Sequence, residues 1–478
     1  MTQICRLLPL KSGQSTCYRF RIETTMKDIS DYLRIAANNF VFVDPPEELL
    51  IGLDATDAWF ERYEIAYPRL FTSEGNALGF KAAGAEAAIS LTESLLKEHP
   101  EYVRGTDFES LLSEVAKELI KAIRNKSPHN NYKEFKSKIA NWFSEEASIK
   151  THFIPCTISP YDSQSFSVGP VTFQSVSSFS SEHKITSNND VKKSGYNQIV
   201  EYAKNQSAHW IAQVQTEGYD NKRSAEHADI SVDIALVALQ LFIPSTVSKE
   251  VARSTARTIP PNIMKFSEVG GYLRSSSTRA DPCISYSGPY FDMILNQNQT
   301  ILESVGNRVN AFVKGQSNSV RLDQAWCDAA YWFHEGISEK LDTVAIAKIE
   351  TSIEVLLFAQ STSGCKNGLI KIFEVIYGLT KNQPLRDNDS RTVLSFIDSI
   401  VTARSRVLHG TWSTLNYRKP ALNEYQHRQE IELLARDLLS RFTLHLDDYK
   451  KTDNPEDNFM SFINWISMQK KSVRSTLV

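Results

Sequence analysis

The sequence predicts a mainly α-helical protein with a mixed α/β middle region and a C-terminal antiparallel helical bundle. Three observations carry this. Apolar residues recur at three-and-four spacing in the first 150 residues and again beyond about residue 300, the period of helices with one buried face. Between them the pattern changes to apolar–polar alternation around polar turns, the period of strands. The C-terminal helical stretches are joined by short polar connections, which return each helix alongside the last. The chain divides accordingly into a mainly helical region 1–150, a mixed α/β region 151–305 read as sensing or regulatory, a helical bundle 306–450 and an amphipathic tail 451–478.

In the first region, Phe108, Leu111, Leu112, Val115, Leu119, Ile120 and Ile123 line one face of a helix, with Asp107 as its N-cap. Tyr132–Phe143 reads as another helix, and Ile4–Leu8 as a short opening strand. At about residue 150, His152-Phe-Ile-Pro-Cys-Thr-Ile and Phe166-Ser-Val-Gly-Pro-Val-Thr-Phe alternate as a strand and a hairpin. Ser175–Asn189 is polar and reads as a loop. Tyr196–Val214 begins with helical spacing and ends in a strand-like Trp210-Ile-Ala-Gln-Val. Ile230–Ile243 is an apolar helix stopped by Pro244, and Gly270-Gly271-Tyr-Leu-Arg and Cys283-Ile-Ser-Tyr read as short strands with turns. The bundle helices are expected at Ala325–Leu341, Thr343–Phe358, Gly368–Leu379, Ser390–Leu408 and Glu424–Asp447. In the tail, Phe459, Phe462, Ile463 and Ile466 form an apolar stripe beside Lys470, Lys471 and Arg474. Packing on the bundle or on a second subunit is the expectation there, with a membrane-surface helix as the sharper alternative.

The chain has 478 residues, 41% of them hydrophobic and 23% charged, with net charge −3. That is ordinary for a globular protein of two to four domains, and it excludes a globally basic nucleic-acid binder; any such site must be local. No run of eighteen apolar residues and no signal-peptide pattern occurs, so neither a membrane span nor secretion is expected. The six cysteines (5, 17, 156, 283, 327, 365) are dispersed without a CxxC pair, which reads as free thiols of a cytoplasmic protein and gives no zinc motif. No G-x-x-x-x-G-K-[ST], G-x-G-x-x-G, H-E-x-x-H or G-x-S-x-G is present. His334-Glu335 lacks a second histidine and reads as a helix-surface pair, and Asp387-Asn-Asp389 as a turn and N-cap region rather than a calcium loop. No metal ligand set and no cofactor is expected.

The chemistry concentrates in Arg404-Ser-Arg-Val-Leu-His409-Gly410, at the end of the fourth expected bundle helix. Val393, Phe396, Ile397, Ile400, Val401 and Leu408 form its buried stripe, with Arg404 beside it, and Gly410 is a favoured helix terminator. Five residues turn an undistorted helix by roughly 140° beyond one full turn. Arg404 and His409 therefore converge only if the helix loosens at its end or a second subunit closes the site. Metal-free RNA cleavage needs such a pair: a group that titrates near neutrality to move protons at the 2′-hydroxyl and 5′-oxygen, and a permanent cation with a planar donor fork for the phosphoryl oxygens. Spacing alone is weak, because Arg124-Asn-Lys-Ser-Pro-His129 repeats it, and there Pro128 disfavours helical geometry just before the histidine. From Ser390 to Arg428, six cations (Arg391, Arg404, Arg406, Arg418, Lys419, Arg428) face two acids (Asp398, Glu424), a local +4. Trp412, Tyr417 and Tyr425 offer surfaces for stacking unpaired bases.

The block Arg404-Ser405-x-x-x-His409-Gly410 resembles the terminal motif of Apea-like HEPN domains, a branch of the HEPN ribonuclease superfamily. Lys348-Ile-Glu-Thr-Ser-Ile-Glu354-Val-Leu-Leu resembles the family's earlier helix, which carries a glutamate before paired leucines. The resemblance is clear over about 320–450, and residues 196–243, with Trp210, Ala228 and an apolar helix ending in Leu-Phe, look like the region that often precedes the domain. It implies a helical bundle that pairs with a second copy, one RNA-cleaving site composed across the homodimer, and catalytic roles for Arg404 and His409. Arg406 and Trp412 fall to RNA binding. Glu354 is left open between orienting the arginine and a structural place, and Ser405 between a phosphate contact and capping its own helix. A role in antiphage defence or as a toxin, with the residues before about 300 sensing a trigger or restraining the nuclease, is a family-level implication. A non-catalytic HEPN module binding RNA or a protein is the alternative, and an unrelated helical interaction protein is the third reading.

Overall fold

The computed structural model describes residues 29–44, 60–72, 76–124, 132–186, 190–256, 262–279, 284–386, 390–409 and 422–476. They are mainly helical, with a few small antiparallel sheets. Two compact units are present, one of residues 1–148 with 218–220 and one of 149–217 with 221–478. Among the described residues no helix is long and apolar enough to cross a membrane.

The first unit holds α1 (Ile29–Asn38), β1 (Phe40–Val43), β2 (Tyr67–Phe71), β3 (Ala77–Phe80), α2 (Ala82–Glu98), α3 (Pro100–Gly105), α4 (Phe108–Arg124) and α5 (Tyr132–Glu146). Helix α4 follows its sequence pattern closely. Leu111, Leu112, Val115, Leu119 and Ile120 are buried, and the Asp107 carboxylate accepts the Ser110 N–H at 2.9 Å as N-cap. An antiparallel sheet in the order β1-β3-β2 lies within this region, which was expected to be mainly helical and for which no strand was named beyond residue 8. Its strands are four or five residues long, too short for their alternation to stand out. The expected strand Ile4–Leu8 lies outside the described residues.

The second unit opens with a five-stranded antiparallel sheet, order β5-β6-β7-β4-β8. It is built from β4 (Lys150–Thr157), the hairpin β5 (Phe166–Val168) and β6 (Val171–Ser175), β7 (Trp210–Thr216) and β8 (Ala252–Arg253). The expected strand at 152, the hairpin and the Trp210 strand are all present. The expected loop 175–189 is instead largely helix α6 (Val176–Thr186). Its serines do helical work: Ser175 Oγ accepts the Ser178 N–H, while Val176 and Phe179 are buried with Val200 and Ala203 of α7 (Asp190–Asn205).

Helix α8 (Asn221–Phe242), followed by the single turn α9 (Ser245–Ser248), is the centre of this unit. Val232 and Ile234–Leu239 are all buried, an apolar surface on every side as expected of a helix enclosed by neighbours. It packs on the sheet and on α11 (Gln299–Lys314) and α12 (Val320–Ile337), which follow the exposed hairpin β9 (Asn262–Val269) and β10 (Tyr272–Arg279) and helix α10 (Gly288–Gln297). Gly270 and Gly271, at φ 61° and 79°, close that hairpin, a turn that requires left-handed backbone at both positions. Ile284–Tyr286, expected as a strand, is irregular, held by the Ile284 N–H on the Ile158 carbonyl at 2.7 Å.

The helical part comprises α11 (Gln299–Lys314), α12 (Val320–Ile337), α13 (Asp342–Leu356), α14 (Thr362–Ile372) with a π turn at Phe373–Tyr377, α15 (Val393–Val401), α16 (Ala403–Leu408), α17 (Leu422–Tyr449) and α18 (Phe459–Thr476). Helix α11 meets the β5–β6 turn at Gly169 and Gly306. A Cβ on either would lie 2.3–2.4 Å from the other's main chain. One continuous core runs from Ile154 in the sheet to Ile466 in α18. The amphipathic tail packs on the bundle: Phe459, Phe462, Ile463 and Ile466 are buried, Phe462 against Phe442 and Tyr449, and Lys470 donates to the Ile376 carbonyl at 2.6 Å.

His334 is fully buried rather than a surface residue. Its Nδ1 lies 3.0 Å from Gln240 Oε1 on α8, and its Nε2 3.9 Å from Asp233, which Arg253 grips with two 2.8 Å bonds. Helix α12 turns this histidine toward α8, while its neighbour Glu335 pairs with Lys348. Consecutive helical residues lie about 100° apart, so adjacency in sequence placed the two on different faces.

Candidate functional site

The expected fourth helix is two helices. It breaks at Thr402, whose hydroxyl bonds back to the Asp398 carbonyl at 2.8 Å and whose N–H turns to the Ile400 carbonyl. In an unbroken helix that carbonyl would take the Arg404 N–H. Here the Arg404 N–H donates instead to Glu350 Oε2 on α13, at 2.5 Å. Helix α15 keeps the predicted stripe of Val393, Phe396, Ile397, Ile400 and Val401 buried. Helix α16 starts afresh from the Glu350 contact and ends at His409, whose N–H donates to the Ser405 carbonyl at 2.9 Å.

Glu350 and Glu354 stand one turn apart on α13 and so share a face. Glu354 Oε2 lies 2.5 Å from Arg404 Nη1, with the arginine side chain 40% exposed and the glutamate 13%. Glu350 is buried. Loss of water raises its carboxyl to about 7, with the Arg404 N–H and charge acting downward and Glu354 upward. Cys365 on α14 is buried close to the same groups. Burial, with Glu354 and Glu350, pushes its thiol up to about 12, so it is an inert core residue rather than a nucleophile.

The structure thus joins Arg404 to Glu354, a contact that fits both an orienting and a structural place for Glu354, and adds Glu350. The signal for Glu350 was its spacing of four from Glu354. His409 stands exposed at the end of α16, as do Ser405 and Arg406 within it. Gly410, Trp412, Tyr417, Arg418 and Lys419 lie outside the described residues, and Tyr425 is described only as backbone of α17.

Three of the six counted cations are answered by acids from beyond the stretch that was counted. Glu430 binds Arg391 through two bonds of 2.8 and 2.9 Å, Glu354 binds Arg404, and Asp342 lies 2.8 Å from Arg428. A window of sequence cannot include partners that the fold brings from other helices. His427 on α17 also belongs to this neighbourhood and was missed. Burial lowers its pKa against the pull of Glu430; Arg406 and Arg391 lower it further, and a bond with the Ser399 main chain acts upward.

No protein-family model, curated protein or solved structure matches this chain. The site must therefore be judged on its geometry. That geometry is a half-exposed guanidinium paired with Glu354, on a residue whose main-chain N–H is held by Glu350, five residues before an exposed imidazole at a helix end. Of the second Arg-x4-His spacing, Arg124 lies over the Phe42 ring at 5.2 Å, and His129 is outside the described residues.

Proposed function

We propose that this protein is a metal-independent HEPN-type endoribonuclease, acting as a defence or toxin effector, with Arg404 and His409 as its catalytic residues. The observation that carries the reading is the Arg404–Glu354 pair at the start of α16, with His409 exposed at its end. The arginine is held where a phosphate can reach it, and the histidine is open to solvent.

In this reading two copies pair through their helical parts and place two His409 side chains near one phosphodiester. One imidazole takes the 2′-hydroxyl proton, the 2′-oxygen attacks phosphorus, and the P–O5′ bond breaks. The second imidazole protonates the leaving 5′-oxygen, leaving a 2′,3′-cyclic phosphate and a 5′-hydroxyl. Arg404 meets the negative charge gathered on the phosphoryl oxygens. DNA, lacking the 2′-hydroxyl, resists this route.

The test is cleavage of single-stranded RNA by purified protein in EDTA. Expected are cyclic-phosphate ends, no cleavage of DNA, and loss of cutting in Arg404→Ala and His409→Ala with unchanged circular dichroism. Intact RNA with a wild-type dimer would sink the catalytic reading. The neutralised charge around Arg391, Arg404 and Arg428 favours one second reading, a HEPN module that pairs with a protein partner. It gains if His409→Ala retains the biological effect.

A further inference from the structure

We infer that Glu350 is the positioning residue of this site: by holding the main-chain N–H of Arg404 it sets the break between α15 and α16 and so fixes where the arginine side chain stands. The inference rests on the reading of Arg404 as a phosphate-binding residue. Its geometric part, the hold itself, is independent of that reading.

Three observations converge. The Arg404 N–H has exchanged its helical acceptor, the Ile400 carbonyl, for Glu350 Oε2 at 2.5 Å. The bond spans two elements that sequence separates by 54 residues. One turn further along α13, Glu354 takes the guanidinium of the same residue at 2.5 Å. Arg404 is therefore clamped at its backbone by one carboxylate and at its side chain by the other.

Without the backbone clamp, the Arg404 N–H regains its nearest alternative, Ile400, and α15 and α16 can run on as one helix. Closing the break therefore changes the path of the main chain into Arg404, and with it where the guanidinium stands relative to Glu354. Charge supports the assignment. The groups acting on the Glu350 carboxyl are Glu354 on its own helix and Arg404 on α16, while Cys365 on α14 senses all three. A carboxylate accepts an N–H more strongly than a carboxylic acid does. With its carboxyl at about 7, Glu350 holds Arg404 firmly above neutrality and less firmly below.

The experiment uses full-length protein labelled with 15N-arginine, with the Arg404 amide assigned by its disappearance in Arg404→Lys. In the wild type that amide proton lies downfield and moves with pH near neutrality. In Glu350→Ala it shifts upfield and exchanges with solvent on the order of tenfold faster or more, as expected on loss of a charge-assisted bond. In Glu350→Gln, whose amide oxygen still accepts, it stays protected but no longer titrates. Cleavage of RNA is measured on the same samples. Glu350→Ala lowers kcat on the order of tenfold to a hundredfold with KM little changed, the signature of a misplaced group. Glu350→Gln recovers most of the loss and flattens the limb of the pH profile near neutrality. An Arg404 amide indifferent to Glu350→Ala, or a kcat indifferent to it, overturns the inference. If Arg404→Ala cuts RNA normally, the reading of Arg404 as the phosphate-binding residue fails instead, and the amide measurement alone judges the hold.

Discussion

The Arg404 guanidinium lies 2.5 Å from the Glu354 carboxylate, so the residue proposed to meet a phosphate already has an acidic partner in its own chain. Glu354 is buried enough to stay put, and Arg404 exposed enough to reach outward.

The first prediction concerns that pair. With the arginine 40% exposed, the ion pair contributes little to stability, about 1 kcal/mol or less. Glu354→Ala should therefore barely move the melting temperature, yet slow RNA cleavage on the order of tenfold by freeing the guanidinium. Cleavage as fast as or faster than wild type would show that Glu354 competes with phosphate rather than orienting the arginine.

The second is a pH dependence of stability. Burial raises the Glu350 carboxyl from about 4.5 to about 7. In that window the folded protein holds a proton the unfolded chain has lost, so this group's contribution to stability falls as pH rises and is lost above about 7. Glu350→Gln cannot ionise. Its melting temperature relative to wild type should be higher at about pH 8 than at about pH 5. An offset equal at both pH values would refute the shift.

The third concerns the buried link between the sheet and α8. Asp233 is 1% exposed and accepts two bonds from Arg253. Arg253→Ala leaves that carboxylate buried without its cation and should cost about 3–5 kcal/mol in urea unfolding. A cost under about 1 kcal/mol would mean that water or a rearranged side chain replaces the arginine.

The fourth concerns the tail. Phe462 is fully buried against Phe442 and Tyr449. Phe462→Ala should lower stability by about 3–5 kcal/mol, as for any large core truncation. A variant as stable as the wild type would show that α18 is dispensable to the bundle.

Much of this architecture is legible in local pattern. The helix at 108–124 with its Asp107 cap, the strands around 152 and 166–173, the Trp210 strand and the apolar stripe of α15 each follow from spacing within a dozen residues, because a helix or strand face is a local property. The Arg404–Glu354 contact joins two stretches that stand out separately in the sequence by their residue types.

What local pattern could not supply are the contacts made across long sequence separations. The serine-rich stretch at 176–186 reads as a loop until Val176 and Phe179 find Val200 and Ala203 on another helix. His334 looks like a surface residue until α8 covers it, and the charge of 390–428 looks positive until Glu354, Glu430 and Asp342 arrive from outside that stretch. The break at Thr402 belongs to the same class. The sequence by itself determined which residues repeat with helical spacing and which carry the charge. The tertiary structure decided that one carboxylate would take the Arg404 N–H and another its guanidinium, because a hydrogen bond from a distant acceptor can outcompete the next turn of a helix only once packing has brought the two together.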